Sequence, residues 1–179
     1  MRTYLLLFIA FFGFSDALQG QSFEKGTNVI ALGITFGSAN TDDSYDAQGA
    51  GFGAQYEKGI WEAGPGVISL GGYLGSKTHH NSWLGQRWNY TILGFRGAYH
   101  YNRFTTEKLK KLDPYGGIMV AYSILGYRGN RTTTRGRYKS SLDNSVFVGG
   151  RYYFTNNFAG FAELGLGISN LTLGGALKF

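Results

Sequence analysis

Residues 27–37 read TNVIALGITFG, and the alternation within this stretch decides the fold class. Large apolar side chains occupy the even positions, from Ile30 to Phe36, whereas the odd positions between them hold alanine, glycine and threonine. Successive side chains of a strand point to opposite faces, so a period of two marks an extended segment. The stretch therefore predicts a strand with one large apolar face and one small or polar face.

The same alternation recurs along the rest of the chain. Seven further segments carry it, at residues 49–58, 67–76, 89–102, 115–127, 144–154, 158–168 and 171–179. Segments of about ten residues have the length that a tilted strand needs to cross a bilayer. The sequence therefore predicts an all-β fold, an eight-stranded antiparallel up-and-down transmembrane β-barrel.

The sorting of side chains distinguishes a membrane barrel from a soluble one. A soluble barrel that carries a lipid has apolar residues inside and polar residues outside. Here the smaller face is rich in glycine and also holds Arg96, Arg151, Glu163 and Lys178. Such a face suits a packed polar interior, while the aliphatic and aromatic face suits lipid.

Hairpin parity then predicts which of these charges meet. An odd-length loop between the sixth and seventh strands places Arg151 directly opposite Glu163. A two-residue turn at 169–170 places Lys178 diagonal to Glu163 on the same inner face. We therefore expect an interior charge cluster of Arg151, Glu163 and Lys178, with Arg96 on the same inner face.

The N-terminus has the pattern of a secretory signal. Arg2 precedes an apolar run over residues 4–14, and small residues suitable for cleavage follow at 17–20. The run is too short to span a bilayer and matches a signal-peptide core. We expect residues 1–20 to be a signal peptide and residues 21–179 to be the barrel domain; the alternative is an N-terminal membrane anchor.

Composition excludes several functions. The chain has no cysteine, so it has no disulfides, thiolate zinc sites or cysteine nucleophile. Its formal net charge of +6, on an exported chain, favours outer-membrane lipids and lipopolysaccharide as partners over nucleic acid. The acids at 42, 43 and 46 lack the spacing of a calcium loop. We expect neither a cofactor nor a metal.

A basic stretch falls in a predicted external loop. Its cations are Arg128, Arg131, Arg135, Arg137 and Lys139, and no acid lies among them. Arginine forks match phosphate oxygens, so the loop is a candidate contact for lipopolysaccharide phosphates. The alternative is a solvated loop that pairs with the neighbouring acidic loop at 38–48.

Glycine and aromatic motifs give the chain a family resemblance. The motifs are GGYLG at 71–75, LDPYGG at 112–117, GGRYYF at 149–154, ELGLG at 163–167 and LKF at 177–179. With them the chain resembles the outer membrane protein beta-barrel domain family, which includes small OmpX-like and OmpA-like barrels and porin-like barrels of the Bacteroidetes. The resemblance implies the outer membrane of a Gram-negative bacterium, and Phe179 as the signal read by the barrel assembly machinery.

The predicted interior argues against a general porin. An eight-stranded barrel is only wide enough for side chains to fill, and Tyr73, Phe147, Tyr153 and Phe161 fall on its inner face. We expect a non-enzymatic, monomeric scaffold that displays surface loops.

Two other functions stay open. The first is a lipid-modifying acyl hydrolase or acyltransferase: Ser123 and His100 fall on inner faces of adjacent strands, and His80 and Ser82 lie close in a loop. The sequence places no orienting acid beside either pair, although a catalytic triad needs one. The second is a barrel that binds a small ligand.

Overall fold

The structure is a computed structural model that describes residues 23–37, 47–48, 50–81, 86–106, 109–128 and 140–179. Within these residues eight antiparallel strands form one wall: β1 (Asn28–Phe36), β2 (Gly51–Ala63), β3 (Gly66–Asn81), β4 (Gln86–Tyr101), β5 (Leu112–Arg128), β6 (Ser141–Tyr153), β7 (Phe158–Leu166) and β8 (Leu171–Lys178). A two-residue strand, Ala47–Gln48, adds to the far end of β3, and a short 3-10 helix, Leu109–Lys111, precedes β5. No helix in the described part of the chain is long and apolar enough to cross a bilayer.

The wall closes on itself. Each strand pairs with the next one along the chain, and β1 pairs with β8 from Val29↔Lys178 to Phe36↔Leu171. Backbone hydrogen bonds between Asn28 and Phe179, of 3.1 and 3.0 Å, complete the seam. The predicted eight-stranded up-and-down barrel is confirmed.

The predicted sorting of side chains is confirmed as well. The outer surface of the barrel is aliphatic and aromatic, and Leu32, Phe52 and Leu166 are exposed by 62%, 70% and 73%. Inward positions such as Thr35 and Ala31 are buried. The four aromatic residues predicted to fill the bore, Tyr73, Phe147, Tyr153 and Phe161, are all buried.

The two ends of the barrel differ in their connections. At the end that carries Asn28 and Phe179, here called the terminal end, β2 and β3 are joined by Gly64 and Pro65 alone. Gly64 has a φ of 58°, which glycine adopts readily and other residues avoid. The predicted turn at 59–66 is therefore shorter, because both strands continue further than the alternation indicates. The other end, here called the loop end, carries the connections between β1 and β2, β3 and β4, β5 and β6, and β7 and β8.

The β6–β7 register differs from the predicted one. Arg151 lies opposite Phe161, and Glu163 lies opposite Gly149, so the hairpin is displaced by two residues. The predicted faces survive this displacement, because a shift of two keeps every side chain on its own side of the wall. The parity of a hairpin therefore fixes the face that each side chain occupies, but it does not fix which residue lies opposite it.

The β7–β8 register is displaced further, by four residues. Gly167, with a φ of 125°, turns the chain after β7 ends at Leu166, and the connection is therefore four residues long. Ile168, predicted to face lipid, is instead buried. Leu164 pairs with Leu171, and the backbone N–H of Lys178 donates to the Asn157 carbonyl at 2.7 Å.

Candidate functional site

A network of buried charges crosses the bore in the half nearer to the terminal end. Arg96 on β4 bridges two carboxylates: its Nε lies 2.7 Å from Glu57 Oε1 on β2, and its Nη2 donates to Glu163 Oε2 on β7 at 2.8 Å. Side chains on three separate strands are thereby tied together across the interior. Because Arg96 and Glu57 are about 1% exposed, water screens this interaction little.

Arg151 forms the second half of the network. It lies directly opposite Asp113 in the β5–β6 register, and its Nη1 donates to Asp113 Oδ2 at 3.3 Å. Its Nη2 donates to Glu57 Oε2, so Glu57 contacts both guanidinium groups. Breaking a buried pair by removing one partner leaves an uncompensated charge and is strongly destabilising.

The predicted charge cluster is therefore arranged differently. Arg96, Arg151 and Glu163 are all buried, but Arg151 pairs with Glu57 and Asp113 rather than with Glu163. The Lys178 ammonium lies 4.6 Å from the ring centroid of Tyr153 at the rim of the terminal end. The reason is the register: the displaced hairpins carry Arg151 and Lys178 away from Glu163.

Aromatic rings pack against the charges and fill the remaining space. The Arg96 guanidinium lies 4.0 Å from the ring centroid of Phe147, and that of Arg151 lies 4.6 Å from the ring centroid of Tyr115. The Tyr115 hydroxyl also donates to Glu163 Oε2 at 3.1 Å. Ion pairs, cation–π contacts and hydrogen bonds thus hold these side chains together in one packed cluster.

A serine, a histidine and an aspartate form a hydrogen-bonded chain beside this network. Ser69 Oγ lies 3.0 Å from His100 Nε2, and His100 Nδ1 lies 2.8 Å from Asp113 Oδ1. Ser123 and His100 do face inwards on adjacent strands, as the sequence predicts, but the two side chains do not meet. Ser123 lies about eight residues further along the wall, roughly 27 Å at strand spacing, and donates to Asp143 at 2.6 Å.

Described side chains occupy the bore near both of its ends. At the terminal end, the ring of Phe23 stacks on His100, with centroids 3.9 Å apart and planes 15° apart. At the loop end, the Lys77 ammonium donates to the backbone carbonyls of Gly37 and Ile168. These contacts join the start of the β1–β2 connection to the β7–β8 turn.

Several predicted site residues lie outside the described parts of the chain. The predicted signal peptide at 1–20, the acids at 42, 43 and 46, and the loop cations Arg131, Arg135, Arg137 and Lys139 all do so, and Arg128 is described only in its backbone. Phe179 is described, and its ring is exposed on the outside of the seam. In the described ranges, no three histidine or acidic side chains are grouped to hold a metal ion.

Comparison with known proteins identifies the fold. No family model and no curated protein matches the sequence. The Yersinia pestis outer membrane protein Ail, in a phospholipid bilayer nanodisc, aligns with a TM-score of 0.52 and 14% identity over 87% of this chain and 100% of its own. OprG from Pseudomonas aeruginosa aligns with a TM-score of 0.56 and 12% identity over 89% and 98%, and the outer membrane protein AlkL with 0.54 and 15% over 93% and 96%. The chain therefore has the fold of the small outer-membrane β-barrels, closed, all-antiparallel and eight-stranded.

Proposed function

We propose that this chain is an integral outer-membrane protein of a Gram-negative bacterium, a rigid scaffold that displays its loop end to the outside. Support for the location comes from the belt of exposed aliphatic and aromatic side chains that encircles the wall. Such a belt would be unfavourable in water and is favourable against lipid. The role as a scaffold needs no cofactor and no catalytic turnover.

The observation that carries the scaffold proposal is the filled bore. Arginine, glutamate and aromatic side chains meet across its middle, Phe23 packs at one end and Lys77 at the other. Interior groups that are paired and packed resist displacement by water or solute, because each pair would have to be broken. A protein built in this way is suited to anchoring and display and not to general diffusion.

We also propose partners for the two ends. The basic stretch 128–139 is proposed to contact lipopolysaccharide phosphates, on the strength of its five cations and its position between β5 and β6 at the loop end. Phe179 is proposed to serve as the signal for the barrel assembly machinery, in keeping with its position at the exposed end of the last strand. The eight strands of the wall have no free edge after closure, which favours a monomer.

Conductance in planar lipid bilayers tests the scaffold proposal. The purified barrel is expected to produce no stable single-channel steps, whereas a general porin run in parallel produces them. Swelling of proteoliposomes in small sugars gives a second readout, and no swelling above protein-free vesicles is expected. Reproducible steps or sugar-dependent swelling would show an open bore and overturn the proposal.

A further inference from the structure

We propose that Ser69, His100 and Asp113 form a serine-esterase catalytic site that Phe23 keeps closed. This inference goes beyond the scaffold role and runs against the sequence-based expectation of a non-enzymatic protein. It rests on four features of the described residues: the register of three neighbouring strands, the order of the hydrogen bonds, the burial of the three groups, and the stacking of one ring on the histidine.

Strand register brings the three groups together. Ser69 on β3 lies opposite Ala98 on β4, so His100 is the diagonal neighbour of Ser69 on the inner face. Tyr115 on β5 lies opposite His100, and Asp113 is therefore the diagonal neighbour of His100. Diagonal neighbours on one face lie within reach of long side chains. The three residues thus form a row along the inner wall at the terminal end.

The hydrogen bonds run in the order that nucleophilic catalysis requires. In the tautomer with the proton on Nδ1, His100 donates to Asp113 at 2.8 Å and presents Nε2 to the Ser69 hydroxyl at 3.0 Å, a shorter contact than the 3.4 Å from that hydroxyl to the Ala98 carbonyl. Glu57 Oε2 lies farther from that nitrogen, at 3.6 Å. The second oxygen of Asp113 accepts from Arg151 at 3.3 Å, which fixes the carboxylate. Nucleophile, base and orienting acid are each within reach of the next.

Phe23 stacks on the base, and its segment lies against Gly59, which is opposite the nucleophile. Gly59 lies opposite Ser69 on β2, and a Cβ at Gly59 would meet Phe23 Cε1 at 3.1 Å. The Glu24 carbonyl oxygen is the nearest atom to that position, so the backbone of the segment and the edge of the Phe23 ring together occupy the space that the glycine leaves opposite Ser69, and the ring stacks on His100. Because Phe23, Ser69 and His100 are all buried, the segment leaves no room for a substrate beside the histidine while it stays in place.

Phe23, which covers the proposed site, belongs to the short segment before β1 and not to the barrel wall. The Phe23 carbonyl accepts from Asn102 Nδ2 at 3.2 Å, and two backbone bonds of 2.9 Å tie Gly26 and Thr27 to Gly59. Glu24, Lys25 and Gly26 are exposed. Withdrawal of the ring needs the loss of these hydrogen bonds and of its packing in the buried cluster with Val29, Val67 and Phe161, while the strand pairing stays intact.

The chemistry that fits the vacated space is hydrolysis of a carboxylic ester with a short acyl chain. Ser69 Oγ would attack the carbonyl carbon while its proton passes to His100 Nε2, and the leaving alcohol would take that proton as the ester C–O bond breaks. Water would then hydrolyse the Ser69 ester by the same relay, releasing the acid. The Arg151 guanidinium carbon lies 5.9 Å from the Phe23 ring centroid, so a positive charge borders the space that the ring would vacate.

Covalent labelling of the folded barrel by a small fluorophosphonate tests the proposal, because an activated serine attacks phosphorus and expels fluoride. Phe23→Ala is expected to form an adduct mapped by mass spectrometry to Ser69, and the wild type much more slowly. Phe23→Ala with Ser69→Ala should form no such adduct. Adding His100→Gln to Phe23→Ala should slow labelling on the order of a hundredfold.

A matched control carries Phe23→Ala with Ser145→Ala, which removes another buried inward-facing serine and should label like Phe23→Ala alone. Heat-modifiable migration on gels verifies that each variant is a folded barrel. If folded Phe23→Ala forms no adduct at Ser69, the chain of three residues is structural and the proposal fails. If wild type labels as fast as Phe23→Ala, Phe23 is not a cover.

Discussion

At the residue scale, Arg151 is the most sensitive single position in the bore. It contacts the carboxylates of Glu57 and Asp113, and all three side chains are almost completely buried. Arg151→Met keeps the aliphatic volume and removes the charge, so two carboxylates lose a partner. We expect the free energy of unfolding to fall by about 3–5 kcal/mol. Equilibrium unfolding by urea in lipid vesicles, followed by tryptophan fluorescence, measures the change.

Arg103→Met is the matched control for that experiment, because Arg103 is exposed in the connection between β4 and β5. The same chemical change there should alter stability by less than about 0.5 kcal/mol. Equal losses for the two variants would mean that the interior network contributes nothing specific to stability.

Three residues of the interior show which positions could be predicted from the sequence and which could not. Glu57 falls on the predicted inner face of its strand, so parity alone places it in the bore. Asp113 falls between the predicted strand segments 89–102 and 115–127, so the sequence predicted it in a turn. In the structure Pro114 lies near the start of β5, where the pairing tolerates it. The alternation in the sequence does not predict the burial of Phe23, because this residue precedes the first strand and is buried only once the barrel has formed.

At the scale of elements, the hairpin registers are open to direct test because the chain has no cysteine of its own. Val148 on β6 lies opposite Leu164 on β7, and both face outwards. Val148→Cys with Leu164→Cys should form a disulfide on mild oxidation, since directly opposed residues have the Cα separation that a disulfide needs. Migration on non-reducing gels reads out the bond.

Val148→Cys with Leu166→Cys is the control pair, because that pair is opposed only in the register predicted from hairpin parity. These two residues are diagonal in the structure, at about 7–8 Å, too far for an unstrained disulfide. Preferential cross-linking of this second pair would contradict the observed register.

The strands show why the face of each side chain could be predicted from the sequence, whereas the residue opposite it on the next strand could not. Alternation fixes which side of the wall a residue occupies, and this is why nearly every outward aliphatic residue was predicted. Register depends on turns such as the one at Gly167, whose positive φ leaves no periodic signal. An irregularity between Gly59 and Trp61 also changes the parity of β2, so Trp61 faces outwards at an odd position.

At the scale of the whole molecule, an aromatic rim surrounds the terminal end. Exposed rings near that end belong to Tyr101, Tyr152, Phe154, Phe158 and Phe179. Aromatic girdles lie where the hydrocarbon of a membrane meets the headgroups. The rim and the aliphatic belt above it together support a position across a bilayer.

The barrel fold could be predicted from the sequence because the alternation of apolar and small residues is repeated in eight strands. The interior charge network and the chain of Ser69, His100 and Asp113 could not, because each depends on a few contacts between distant segments.

Cell fractionation, combined with gel migration of unboiled and boiled samples, tests directly whether this chain is a closed barrel in the outer membrane. We expect recovery in the outer-membrane fraction and faster migration before boiling than after, because a closed barrel stays folded in detergent. Recovery as a soluble periplasmic protein, with the same migration before and after boiling, would contradict it.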